Sequence, residues 1–559
     1  MGSMPSTKFQ VIQTVPVAKG TPEYEAQIQS VLDEFAAKVP KEFYIPQSVV
    51  DNPPKNVTAV PRESGILSEQ ELEITEKYDA VSLAEAIAAK KLTAVAVATA
   101  FAKRAIIAHQ LTCCLTEWFM DEAIERAKSL DEYLERTGKT VGPLHGVPIS
   151  VKEHMPLAGH YAASGFFDVR NKSKTDCQMM AILRNAGAVF YCKTIQPQGI
   201  MHLESVSSYG RVLNPYNINL SAGGSTGGEA ALIAMRGSIL GIGTDIGGSV
   251  RGPAGFCGIY GYKATSYMLP QKDFLPDGFA AELNVICSTG PMCLTMRDMD
   301  LFCKVLLDAK PHLADPKLIP IPWTGLNGLT APSPLKIGFY MNDGAIVPQP
   351  PVARALEWAR AQLEKSPNFK VTTFEPYGAA RAIKNIRKAY WPDGRQAVEK
   401  HLAKTGEPMF SLTDWVLKDA TQDEIPASAV LQQRLERDRF RCEFAEHWTS
   451  QDVDVVIGPL FVGPACEHDT AFHWNYTAFW NYVDYPGVVF PTPVKAEKKG
   501  VESYASETPL SKECEHVREL WQKGDFEGAP INLQIVARKY HDNELFAALA
   551  AIKDVLQLP

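Results

Sequence analysis

Two serines set among glycines stand 24 residues apart, Ser225 in GGSTGG and Ser249 in DIGGSVR. Glycine on either side of a serine removes bulk, so the chain can turn sharply and a substrate can approach the hydroxyl. A turn of that kind can also aim several backbone N–H groups at one point, as a developing oxyanion requires. Three chemistries compete for the stretch. A phosphate loop needs lysine after its last glycine, and Gly228 is followed by Glu229, which excludes it. A nucleophile elbow of the GxSxG type fits Gly223 to Gly227 and makes Ser225 the nucleophile. The third assigns attack to Ser249, with Ser225 as a proton relay and a base from elsewhere. Spacing alone does not choose between the last two.

A base is available upstream. LHGVPISVKEH, from Leu144 to His154, runs as an apolar strand into Lys152. A lysine closing a buried strand is penalised as a cation, so its pKa falls and a neutral amine becomes available. Taken alone, the same lysine reads more readily as one snorkelling from a strand end.

Together GVPISVKE, GGSTGGE and GTDIGGSVRGPAGFCGIYGYK resemble the amidase signature family, in its fungal acetamidase-like and fatty-acid-amide-hydrolase-like branches. The resemblance runs from about Tyr78 to the C-terminus, through AGAVFYCKTIQPQ, NPYN, STGPM, YPGVVFP and GAPINLQIVAR. It implies an α/β fold, a large mixed twisted β-sheet covered by helices on both faces. It also implies a Ser–cis-Ser–Lys triad of Lys152, Ser225 and Ser249, and an oxyanion hole from the N–H groups of Ile246, Gly247, Gly248 and Ser249. Thr244, Asp245 and Arg251 would support that loop, the last two as a charge-assisted pair. Met201, His202, Gly223, Gly224 and Trp480 are the substrate-pocket candidates. No metal or cofactor is implied, and the substrate would be a small-molecule amide.

The chain departs from the usual family pattern in three places. Ala264 stands in Gly261–Thr265 where proline is usual, and Ser266-Tyr267-Met268 replaces a Gly-Arg. His154 follows the Lys-Glu pair where asparagine, serine or another small residue is commoner. None removes a catalytic atom; the first two bear on the pocket wall.

The elements that must hold these residues are legible from periodicity. The stretch 67–136 is helical, with capping boxes expected at Ser68/Glu71 and Ser82/Glu85. The apolar stretch from Glu229 to Leu240 is expected as a buried helix. Asp176–Ala186 reads as a helix, 188–192 as a buried strand, and Lys193–Ser221 as a long loop. Leu335–Tyr340 and Val453–Ile457 read as strands, and Val352–Leu363 and Phe410–Glu446 as helices, the latter heavily charged. Residues 1–66 form an N-terminal extension wrapping a single catalytic domain over 67–559, with a helical patch near Glu23–Val39. Met1-Gly2-Ser3 before Met4 reads as a cloning remnant rather than as the myristoylation pattern it also fits.

Composition bounds the rest. A chain of 559 residues, 45% apolar and 21% charged, can bury a large core. A net charge of −8 gives no basic footprint for nucleic acid. No run of 18 apolar residues predicts a transmembrane span. Eleven scattered cysteines without CxxC spacing, and no secretory leader, read as reduced thiols in a cytoplasmic protein. Ester or carbamate hydrolysis, acyl transfer, an elbow-type esterase, a glutamine-hydrolysing subunit and a non-catalytic scaffold remain the competing readings. A homodimer stays open.

Overall fold

The computed structural model describes residue 6 and residues 8–274, 283–505 and 508–559. The reading of Met1-Gly2-Ser3 lies outside them. Eleven strands form one mixed sheet: β1 (Leu115–Trp118), β2 (Pro148–Lys152), β3 (Val189–Thr194), β4 (Leu240–Asp245), β5 (Tyr260–Lys263), β6 (Ser288–Cys293), β7 (Leu335–Phe339), β8 (Phe369–Thr373), β9 (Val455–Pro459), β10 (Gly487–Lys495) and β11 (Pro530–Val536). Their order across the sheet is β1-β3-β2-β4-β6-β5-β10-β11-β9-β7-β8. β2 runs parallel to both β3 and β4, whereas β4–β6 and β10–β11 are antiparallel. This is the mixed α/β sheet that the resemblance implied. β2 to β4 are buried at every residue, which explains why they read as continuous apolar runs rather than alternating ones.

β4 carries two glycines because a helix lies directly on it. A Cβ at Gly243 would meet Val250 at 2.7 Å and Thr226 at 3.1 Å, and one at Gly241 would run into the Glu229 carboxylate. The expected helix from Glu229 to Leu240 is accordingly shorter. It spans Gly227–Ala234 and ends in a turn with Arg236 left-handed at φ 60°; Leu240 already belongs to β4.

Other elements differ from expectation for local reasons. The Ser68/Glu71 capping box is present, but the next helix (Ala80–Ala88) is capped by Asp79 with Ser82 reciprocating. Asp79 Oδ1 accepts from the Ser82 amide at 2.8 Å, so Ser82 serves at N3 and is not the cap. The stretch 410–446 splits into Ser411–Val416 and Ala427–Ser450. The second helix begins just after Pro426, and residues ahead of a proline are biased away from helix. Its buried residues Phe440, Phe444 and Trp448 recur every four, on a single face. The stretch 193–221 is not all loop; it carries short hairpins pairing 206–207 with 210–211 and 213–214 with 217–221.

The N-terminal segment, with its helix Pro22–Ala37, is bonded to the body at separated points. The Ile12 amide donates to the Gln110 carbonyl at 2.8 Å, and the Val57 amide to the Pro215 carbonyl at 2.9 Å. The buried Gln110 side chain accepts from the Ile45 amide at 3.0 Å and donates to the Phe43 carbonyl at 2.8 Å.

Candidate active site

Lys152 ends β2 with its side chain wholly buried. Three hydroxyls surround Nζ: Ser225 Oγ at 2.7 Å, Thr226 Oγ1 at 2.9 Å and Thr244 Oγ1 at 3.1 Å. Thr244 arrives on β4, parallel to β2; the other two come from the turn entering the helix Gly227–Ala234. Three contacts suit a neutral amine, which has two N–H donors and one lone pair. Burial pushes the Lys152 pKa down to about 7. The pull of nearby acids in the other direction is weak. Burial lifts Glu153 and Glu229 to about 8, and Asp245 is paired with Arg251. Sequence reasoning missed Thr226 and Glu229. Thr226 adjoins Ser225 in the same glycine cluster, but nothing in the spacing marks it as a lysine partner.

The two serine turns lie side by side. The Thr226 amide donates to the Ser249 carbonyl at 3.2 Å, and the Gly224–Ser225 peptide is cis. Ser225 is fully buried, its side chain hydrogen-bonded to Lys152 and to no histidine among the described residues. That removes the base an elbow nucleophile would need. Ser249 is 7% exposed and so is the more accessible serine of the two.

Asp245 organises the turn that carries Ser249. Its carboxylate accepts from the amides of Gly248 (2.9 Å), Val250 (3.1 Å) and Arg251 (3.2 Å). The Arg251 guanidinium grips the same carboxylate through two nitrogens, Nε at 3.1 Å and an Nη at 3.0 Å, with both residues unexposed. Asn481 Nδ2 adds a donor at 2.9 Å. Burial works the other way, but the Arg251 guanidinium, with the Asn481 bond and the charge of Lys263, holds Asp245 well below the usual carboxylate range. One expectation changes here. Because Asp245 occupies the Gly248 N–H, only the amides of Ile246, Gly247 and Ser249 are left without an acceptor among the described residues. The backbone of the turn is fixed from outside: Tyr390 OH donates to the Ile246 carbonyl at 3.0 Å, and Thr477 Oγ1 to that of Gly247 at 2.8 Å. Gly248 sits at φ 128°, with no room for a Cβ beside Thr477.

A cavity of about 400 Å³ opens beside this cluster, with His154, Met201, Thr244, Ile246, Phe274 and Cys287 among its walls. Tyr267 and Leu269 place the unusual Ser266–Met268 stretch at its edge. Of the pocket candidates, Met201 lines it. The others do not. His202 is buried, its ring between the Glu204 carbonyl (3.0 Å) and Thr413 Oγ1 (3.1 Å). Gly223 and Gly224 lie beneath the serine turn, packed on Pro253 and on the backbone of His202 and Glu204. Trp480, 2% exposed, belongs to the aromatic core with Tyr340, Phe444, Trp448 and Tyr485. Its helix, Asn475–Val483, reaches the site through Thr477 and Asn481 instead.

The mixed eleven-stranded sheet that carries this cluster is the fold of a known class of hydrolase, as comparison with known proteins shows. A family profile described as Amidase matches residues 96–546, and the chain belongs to that family, whose members hydrolyse amide C–N bonds. A Schizosaccharomyces pombe relative named as an amidase is 41% identical over 505 residues, 90% of this chain and 93% of that protein. The acetamidase of Emericella nidulans is 34% identical over 538 residues, covering 93% and 96%. Among solved structures, fatty acid amide hydrolase superposes with a TM-score of 0.89 at 30% identity over 96% of each chain. No helix among the described residues is long and apolar enough to cross a membrane.

Proposed function

We propose that the amide C–N bond is cleaved through an acyl-enzyme on Ser249, with Ser225 and Lys152 relaying the proton. The observation that carries this reading is the buried Lys152 Nζ, 2.7 Å from Ser225 Oγ. Neutral Lys152 takes the Ser225 proton as Ser225 takes that of Ser249, because a hydroxyl donates and accepts at once. Ser249 Oγ attacks the carbonyl carbon, and the oxyanion forms against the amides of Ile246, Gly247 and Ser249. The proton returns through Ser225 to the departing nitrogen, and water then releases the acid.

Substrates are small or apolar carboxylic amides. This is supported by the mostly apolar cavity and by likeness to acetamidases and to fatty acid amide hydrolase. A reducing, cytoplasmic setting is supported by eleven free cysteines, nine of them buried.

Peptide mapping after fluorophosphonate labelling tests the relay. Label on Ser249, with labelling and amide turnover reduced at least a thousandfold in Lys152→Ala, is the expected result. Label on Ser225 that survives the lysine change would overturn it.

A further inference from the structure

His154 lies two residues beyond Lys152, just past the end of β2, and its ring forms part of the cavity wall. Its Nδ1 is 2.7 Å from Gln196 Oε1. The Gln196 carboxamide has only one workable orientation, because its Nε2 donates to the Ala163 carbonyl at 2.8 Å. Turned over, it would set oxygen against oxygen. Gln196 therefore presents an acceptor to the imidazole, and Nδ1 must carry the proton. Nε2 is left as a bare lone pair on the ring edge turned away from Gln196, with no partner among the described residues. Burial, helped by neighbouring Lys152, pushes the ring pKa down to about 3, so it stays neutral in the working range.

The cavity that His154 lines is mostly apolar, with Tyr267, Gln271 and Thr244 among its polar residues. Phe274 meets the imidazole edge-on at 6.2 Å, and Leu269, Val285 and Ile286 line the same cavity. A hydrocarbon filling the cavity strips Nε2 of water and gives nothing back, whereas a hydroxyl or N–H restores the bond.

We infer that His154 is a specificity-determining residue that selects substrates bearing a hydrogen-bond donor on the part filling this cavity. The inference rests on the proposed Ser249 chemistry only in placing that cavity beside the scissile bond.

The test is kcat/KM on matched pairs. Unbranched primary amides of four to eight carbons are compared with isomers hydroxylated at each chain position. N-alkylacetamides are compared with their hydroxyalkyl counterparts. The two sets separate an acyl chain in the cavity from an amine there. In the parent protein a hydroxyl at one position in one set raises kcat/KM about tenfold over the plain partner. In His154→Phe that ratio collapses to one or below; taken within a variant, it is unaffected by overall loss of rate. Gln196→Leu provides a second route if the phenylalanine variant does not fold. It releases the tautomer, so the ratio falls and the His154 ¹⁵N signals move from Nδ1–H toward a mixture. A parent protein with no preference at any position, or a ratio unmoved by His154→Phe, overturns the inference. Normal plain-amide turnover with Ser249 labelled, in that case, leaves the proposed chemistry standing.

Discussion

A lysine in water is a cation at neutral pH, whereas burial brings Lys152 to about 7, so that a large share of it is neutral there. Its low pKa comes mainly from desolvation, and the sign of the pH dependence follows. In the proposed relay the working base is the neutral amine, so kcat/KM should rise through about pH 7 to a plateau and fall tenfold per unit on the acid side. A profile flat from pH 5 to 9 would remove Lys152 from the role. The hydroxyls around Nζ tune this. Thr226→Val deletes an oxygen that accepts from the protonated lysine, so the acid limb should move to lower pH while kcat drops about tenfold or more. At this scale the sequence is readable where residue type and spacing carry chemistry: Lys152 meets Ser225, and the turn that carries Ser249 lies alongside. It was not readable where identity comes only from contact. Thr477 and Asn481 lie more than 200 residues from the turn they hold, and the Gly248 amide was assigned outward when Asp245 turns it inward.

The element that matters most is the turn from Asp245 to Arg251. Its paired charges are fully buried, and removing one strands the other. Asp245→Asn should therefore cost about 3–5 kcal/mol of stability, read from denaturant unfolding, where a surface pair would cost under about 1 kcal/mol. A loss below about 1 kcal/mol would mean that Arg251 finds compensation elsewhere. Elements were legible to the extent that local signals were unopposed. The Ser68 cap formed as read; Ser82 did not, because Asp79 three residues earlier is a better-placed acceptor for the same helix. The helix after Ser225 was read too long because an apolar composition persists straight through the Arg236 turn into β4, and burial looks alike in both.

At the level of the whole molecule, the N-terminal segment covers apolar surface. Ile45 and Val57 have no exposure, and Gln110 holds the backbone on either side of Tyr44. A variant starting at residue 67 should lose solubility or unfold several degrees lower by calorimetry; an unchanged melting temperature would show the segment to be dispensable cladding. Composition could not assign it, since its polar, proline-bearing sequence reads equally as a loose tail.

The Arg251 contacts carry one more consequence. The guanidinium reaches the Thr477 carbonyl at 2.9 Å, Asn481 at 2.7 Å and Gln534 at 3.3 Å. All three follow the serines by more than 220 residues. During synthesis, Lys152, Ser225 and Ser249 leave the ribosome long before the parts that lock their turn. The nascent chain thus holds all three residues before the groups that fix the Asp245–Arg251 turn have been made.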